Sequence, residues 1–216
     1  MNFACKSRNN NRVVKEIGKN RLITTIDTNN TRLKPDNEVD YFNKGGFKGL
    51  GQDHIGAISD YNKAIEMKPD FAVAYRSRGK EKLFINDFKG AIQDFNKVLE
   101  LKTDDTEAYC SRGIAKKMLK NYTGAIKDLS KSIKLDPRNE LAYIARAETR
   151  KTIKDYYGAL ADYGKAIESL PLDPFPYCQR AQIEIELKQN ENACKDFRKA
   201  KELYADVDEY IKKYCQ

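Results

Sequence analysis

The stretch FKGAIQDFNK, Phe88–Lys97, decides how this chain is read. Thirty-four residues later stands YTGAIKDLSK, Tyr122–Lys131, and 34 residues earlier stands HIGAISDYNK, His54–Lys63. Working outward, rows of 34 run without a gap over 38–71, 72–105, 106–139, 140–173 and 174–207. Row position four is always tyrosine (Tyr41, Tyr75, Tyr109, Tyr143, Tyr177) and position twenty always alanine (Ala57, Ala91, Ala125, Ala159, Ala193). Position eight is small (Gly45, Gly79, Gly113, Ala147, Ala181), and position twenty-four is large and apolar (Tyr61, Phe95, Leu129, Tyr163, Phe197). A fixed period of this length marks an array of stacked structural units.

Each row reads as two helices. In row three, Ala108, Ile114, Ala115, Met118 and Leu119 recur at three- and four-residue spacings, and Ala125, Ile126, Leu129 and Ile133 do the same further on. Between the halves lie Asp53, Asp87, Asn121 and Asp155, short side chains suited to capping the second helix. Pro69, Pro137 and Pro171 close rows, and Pro174 follows Asp173 as a proline in a helix's first turn. Small residues at eight and twenty let two backbones approach, and the large residue at twenty-four fills the gap beside them. One such hairpin cannot bury its apolar face alone, so neighbours must stack.

These positions, with an aromatic at seventeen (Phe88, Tyr122, Tyr156) and proline at thirty-two, resemble the tetratricopeptide repeat. The resemblance implies an all-α, right-handed superhelical solenoid of five helix-turn-helix repeats over 38–207, whose inner face holds a segment of another protein. The departures are Asn190 at seventeen, Thr103 and Ala205 at the proline position, and the glycine-rich first row, KGGFKGLGQ. Each glycine inside a helix costs about 1 kcal/mol relative to alanine, which makes row one the loosest. After the rows, Val207, Tyr210, Ile211 and Tyr214 form one stripe, so 208–216 reads as a capping helix.

Within the 216 residues, 33% are charged, and no run approaches the roughly 18 apolar residues of a membrane span. The first ten residues, MNFACKSRNN, lack the apolar core of a secretory signal, so a soluble, cytoplasmic protein is expected. The alternative is a lipoprotein lipidated on Cys5, with its true start upstream of Met1. Of the net charge of +8, residues 1–37 hold +5, eight Lys/Arg against Glu16, Asp27 and Asp36, as a basic, irregular leader. The five cysteines form no CxxC pair, and a single histidine, His54, leaves no zinc ligand set. Reduced, structural thiols are the reading that follows.

Position seven is basic in every row (Lys44, Arg78, Arg112, Arg146, Arg180) and position twenty-three is always aspartate (Asp60, Asp94, Asp128, Asp162, Asp196). Position eleven is basic in four rows (Lys48, Lys82, Lys116, Arg150) and Glu184 in the fifth. This predicts a ladder of Arg/Lys–Asp pairs bridging helices or rows, a structural device rather than a row of ligand sites. Lysine at twenty-six (Lys63, Lys97, Lys131, Lys165, Lys199) has Glu66, Glu100, Glu168 and Glu202 nearby, which describes a solvated mixed face. No motif that reads nucleic acid accompanies it.

The resemblance places the peptide-binding groove on Phe42, Val73, Arg76, Lys80, Leu83, Phe84, Cys110, Ile114, Lys117, Met118, Leu141, Ile144, Glu148, Lys151, Phe175, Cys178 and Gln182, together with Val39. Such a face suits an amphipathic helix or extended peptide with apolar anchors and an acidic residue. The carboxylate clamp of chaperone-tail binders is missing: row two offers Arg76 and Lys80, but row three has Ser111, and row four has Leu141 and Ala145. His54 stands at a turn-aromatic position, where packing is the expected role. There is no nucleophile motif, phosphate loop or metal cluster. The expectation is a non-enzymatic scaffold without cofactors. Two other readings stay open: electrostatic binding of nucleic acid or an acidic surface by the leader, and end-to-end stacking into a homo-oligomer.

Overall fold

The computed structural model describes residues 37–215. Among these it has eleven α-helices and no strand: α1 (Glu38–Leu50), α2 (His54–Met67), α3 (Ala72–Phe84), α4 (Phe88–Leu101), α5 (Thr106–Met118), α6 (Tyr122–Leu135), α7 (Glu140–Thr152), α8 (Tyr156–Ser169), α9 (Pro174–Glu186), α10 (Asn190–Glu202) and α11 (Asp208–Tyr214). They fall into two compact units, 37–137 and 138–215. In the first, α1 packs on α2, α3 on α4 and α5 on α6, with α2 against α3 and α4 against α5. In the second, α7 packs on α8 and α9 on α10, with α8 against α9 and α11 closing onto α10.

The second helix of each hairpin begins in a repeated way. Asp53, Asp87, Asn121 and Asp155 accept from the backbone N–H of Gly56, Gly90, Gly124 and Gly158, satisfying a donor the helix cannot use internally. A Cβ on Gly56 would stand 2.0 Å from Asp53 Oδ2, so that close approach requires glycine. Row five has neither partner, with Gln189 preceding α10 and Asn192 at the glycine's place, and Gln189 makes no side-chain cap.

The turn between paired helices also repeats. Gln52, Asn86, Lys120, Lys154 and Lys188, all at row position fifteen, have φ between 60° and 64°. This left-handed residue turns its own N–H and the next one back onto the first helix, as in Asn86 N–H to the Leu83 carbonyl and Asp87 N–H to the Lys82 carbonyl.

The core is where position eight meets position twenty-four. A Cβ on Gly79 would come within 2.8 Å of the Phe95 ring, and one on Gly113 within 2.7 Å of Leu129. The alanines at position twenty are fully buried in every row. Around them Ala91, Phe95, Val98 and Ala115 form one cluster in the first unit, and Ala147, Ala159, Tyr163 and Ile183 another in the second. At the C-terminal end Val207 is buried, Tyr210 stacks on Phe197 at 4.9 Å, and Ile211 packs against the same cluster.

The charged ladder ties the hairpins together. Arg78 meets Asp94, Arg112 meets Asp128, Arg146 meets Asp162 and Arg180 meets Asp196, each through Nε and Nη2 at 2.5–3.0 Å. In row one the lysines serve, with Lys48 at 2.7 Å from Asp60 and Lys44 at 3.6 Å. Arg78 and Arg112 also reach back to the preceding row, donating to Asn62 and Asn96 at 2.7 Å. Each of these arginines lies over its own row's position-four tyrosine, 5.3–6.0 Å from ring centre. The ladder therefore joins the helices of a hairpin and, in the first unit, adjacent hairpins. Lys97, Lys165 and Lys199 pair with Glu100, Glu168 and Glu202 one turn away, as a solvated mixed face would.

One expectation is overturned. Cys194 and Cys215 form a disulfide, with Cα atoms 5.4 Å apart, that ties the end of the chain to α10. A return of the chain past α11 brings together two cysteines that share no motif. Disulfides persist in oxidising surroundings, so the thiol content no longer argues for a cytosolic protein. Of the leader 1–37, residues 1–36, with Cys5, lie outside the described residues, and Asn37 caps α1. No helix among the described residues is long and apolar enough to cross a membrane.

Candidate functional site

In the first unit, α1, α3 and α5 lie side by side, and the predicted groove residues divide sharply by environment. Val73, Phe84 and Met118 are exposed (41%, 69% and 50%), as is Val39 (48%). Ile114 is half-buried among them. Phe42 instead packs inward, with its ring 5.6 Å from Tyr61 and 5.3 Å from Phe71. Leu83 packs against the Phe95 cluster. Cys110 is buried, and burial pushes its thiol up to about 12, with Glu107 adding to the shift. It is therefore a neutral packing residue.

The basic residues of this face already have partners. Arg76 donates to Asp105 at 2.6 Å and reaches Glu107 at 3.0 Å, and Lys80 also pairs with Glu107. Lys117 is engaged as well. The acidic counterparts were not among the expected groove residues, although the sequence carries a signal: position two is apolar in the other rows and Glu107 in row three.

His54 has the packing role expected of it. Its ring stacks on Phe84 at 4.8 Å, and its Nδ1 lies 2.6 Å from Glu81 Oε2. Phe84 is thus clamped on one face and open on the other, which makes it a rigid apolar platform. Phe47 and Leu50 of α1 are also exposed, beyond the expected set.

In the second unit, Leu141 is exposed (56%), while Ile144 packs against the Tyr163 cluster and Cys178 is fully buried. Phe175 is half-buried, and Glu148 is engaged. Lys151 donates to Gln179 and Gln182 at 3.0 and 3.1 Å. Burial lowers its pKa while Glu148 and Glu186 oppose the shift. The Tyr163 phenol is buried without a hydrogen-bond partner, and burial holds it neutral.

Residues 106–139 and 176–207 match the tetratricopeptide repeat family profile. The chain thus contains tetratricopeptide repeats. Among solved structures it resembles MamA, at 26% identity and a TM-score of 0.69, over 74% of this chain and 94% of that one. It also resembles the tetratricopeptide-repeat domain of Arabidopsis OM64, at 28% identity and a TM-score of 0.52, over 53% of this chain and 95% of that one. YrrB, a tetratricopeptide-repeat protein with an unusual peptide-binding site, shares the fold at 18% identity and a TM-score of 0.63, over 77% of this chain and 86% of that one. No curated protein matches the chain in sequence. The first-unit face sets exposed apolar side chains among internally paired charges. Among the described residues no group of three or more Cys, His, Asp or Glu could hold a metal.

Proposed function

We propose that the chain is a non-enzymatic interaction module that holds a helical or extended segment of another protein against α1, α3 and α5. The observation carrying this reading is the row of exposed apolar side chains Val39, Val73, Phe84 and Met118 on helices packed side by side. Removing such surface from water is favourable by about 25 cal/mol per Å², and an amphipathic helix or strand spaces its anchors to match. Because Asp105 and Glu107 neutralise Arg76 and Lys80, the ligand is held by apolar anchors, and an acidic residue in it contributes little. The test is capture from native extract by wild type and by a folded Phe84→Ala/Ile114→Ala variant. A partner retained by both would contradict the reading.

A second reading, self-association through the first hairpin, rests on exposed Phe47 and Leu50. Light scattering on the full chain separates it from the first: a monomer at micromolar concentration rules it out.

A further inference from the structure

In rows one to four a cation at position eleven completes the ladder. Lys48, Lys82, Lys116 and Arg150 stand 2.7, 2.9, 2.7 and 2.8 Å from the aspartate of their own row. Three of them also donate to a carbonyl in the first turn of the second helix: Lys48 to Gly56, Lys82 to Gly90 and Arg150 to Gly158. Row five has Glu184 at this place. Its side chain is buried, 8% exposed, and Oε2 has no hydrogen-bond partner. Asp196 keeps its two bonds from Arg180 at 2.6 and 2.8 Å. Two carboxyl groups therefore stand near one guanidinium, bonded to Asp196 alone, where the other rows place two cations. Ionising both leaves an uncompensated charge out of water, which is costly.

We propose that a proton on Glu184 takes the place of the missing cation, making row five a pH-operated latch: closed when Glu184 is neutral and loosened when it ionises. The groups that face it are Asp196 from α10 and Arg180 from its own helix. On α8, packed against α9, Asp162 is held by Arg146 and Arg150, Lys165 pairs with Glu168, and the Tyr163 phenol is neutral. Burial, then Asp196, pushes the Glu184 carboxyl up to about 7, with Arg180 opposing. The folded value lies above the ordinary 4.5. The stabilisation by the bound proton is thus full below about 4.5, declines as pH rises through the window to 7, and is gone above it. α10 carries Phe197, which stacks on Tyr210 of α11, so the cap loosens with the hairpin.

The experiment is a pH series on the full chain. Carbon-detected NMR of the wild-type Glu184 carboxyl should give a midpoint near 7, and a midpoint in the ordinary carboxylate range would overturn the proposal. Hydrogen exchange of α10 amides should show the opening constant of wild type relative to Glu184→Gln rising about tenfold from pH 5.5 to 7. Glu184→Lys, which restores the ladder cation, should abolish this rise and keep α10 protected at pH 7.5. If wild type, Glu184→Gln and Glu184→Lys all follow one pH dependence, the latch does not exist. If Glu184→Gln fails to fold, the wild-type midpoint and Glu184→Lys decide.

Discussion

Arg112 grips Asp128 across the α5–α6 hairpin, donating from Nε and Nη2 to its two oxygens at 2.7 and 2.8 Å. Lys116 adds a third contact at 2.7 Å, and the aspartate is buried. Removing the anion strands two cations in a partly dry slot. Asp128→Ala is therefore expected to cost about 3–5 kcal/mol in urea unfolding. A loss below about 0.5 kcal/mol, the value of an exposed pair, would show that the ladder contributes nothing to stability.

The left-handed turn gives a prediction of opposite sign. Lys120 sits at φ 61°, where a side chain is strained and glycine is not. Thermal unfolding should show Lys120→Gly gaining up to about 1 kcal/mol, and Lys120→Val losing about 1–2. A gain on Val would mean that the turn is not formed.

Capping separates row two from row five. Asp87 caps α4 through the Gly90 N–H, whereas Gln189 makes no cap to α10. Asp87→Ala should lose about 1 kcal/mol, and Gln189→Ala should change stability negligibly. Equal losses from the two would contradict the difference between the rows.

The disulfide yields a prediction that thiol chemistry can read. Cys194 and Cys215 lie 21 residues apart and tie the chain end to α10. Cys215→Ser is expected to cost about 3 kcal/mol and to raise exchange of α11 amides first. Cys110, buried with its thiol raised to about 12, should stay unmodified by a thiol reagent at pH 8 until the chain unfolds. Fast labelling of the native protein would show that its site is open.

How far the sequence discloses this structure depends on the kind of residue involved. Ala91 with Phe95, or Asp94 with Arg78, recur at one period because their contacts recur, so helices, core and ladder are all legible. The turn at Lys120 is not, since its φ comes from the hydrogen bonds around it and its residue type carries no trace of it. The Cys194–Cys215 bond escapes for a related reason: only the return of the chain past α11 brings the sulfurs together. At the candidate site, Val73, Phe84 and Met118, which the resemblance assigns to the groove, are exposed. The sequence does not separate them from Cys110, buried although the resemblance assigns it to the same groove, because burial depends on the neighbouring side chain. The pairing of Arg76 with Glu107 crosses rows, and a row-by-row reading counts both charges as free.

The most direct test of the central claim is to select peptides against the full chain from a random library and map the tightest by NMR. The account predicts a peptide with apolar anchors at helical or alternate spacing, perturbing amides around Val39, Val73, Phe84 and Met118. Perturbations confined to α2, α4 and α6, or no peptide selected at all, would contradict it.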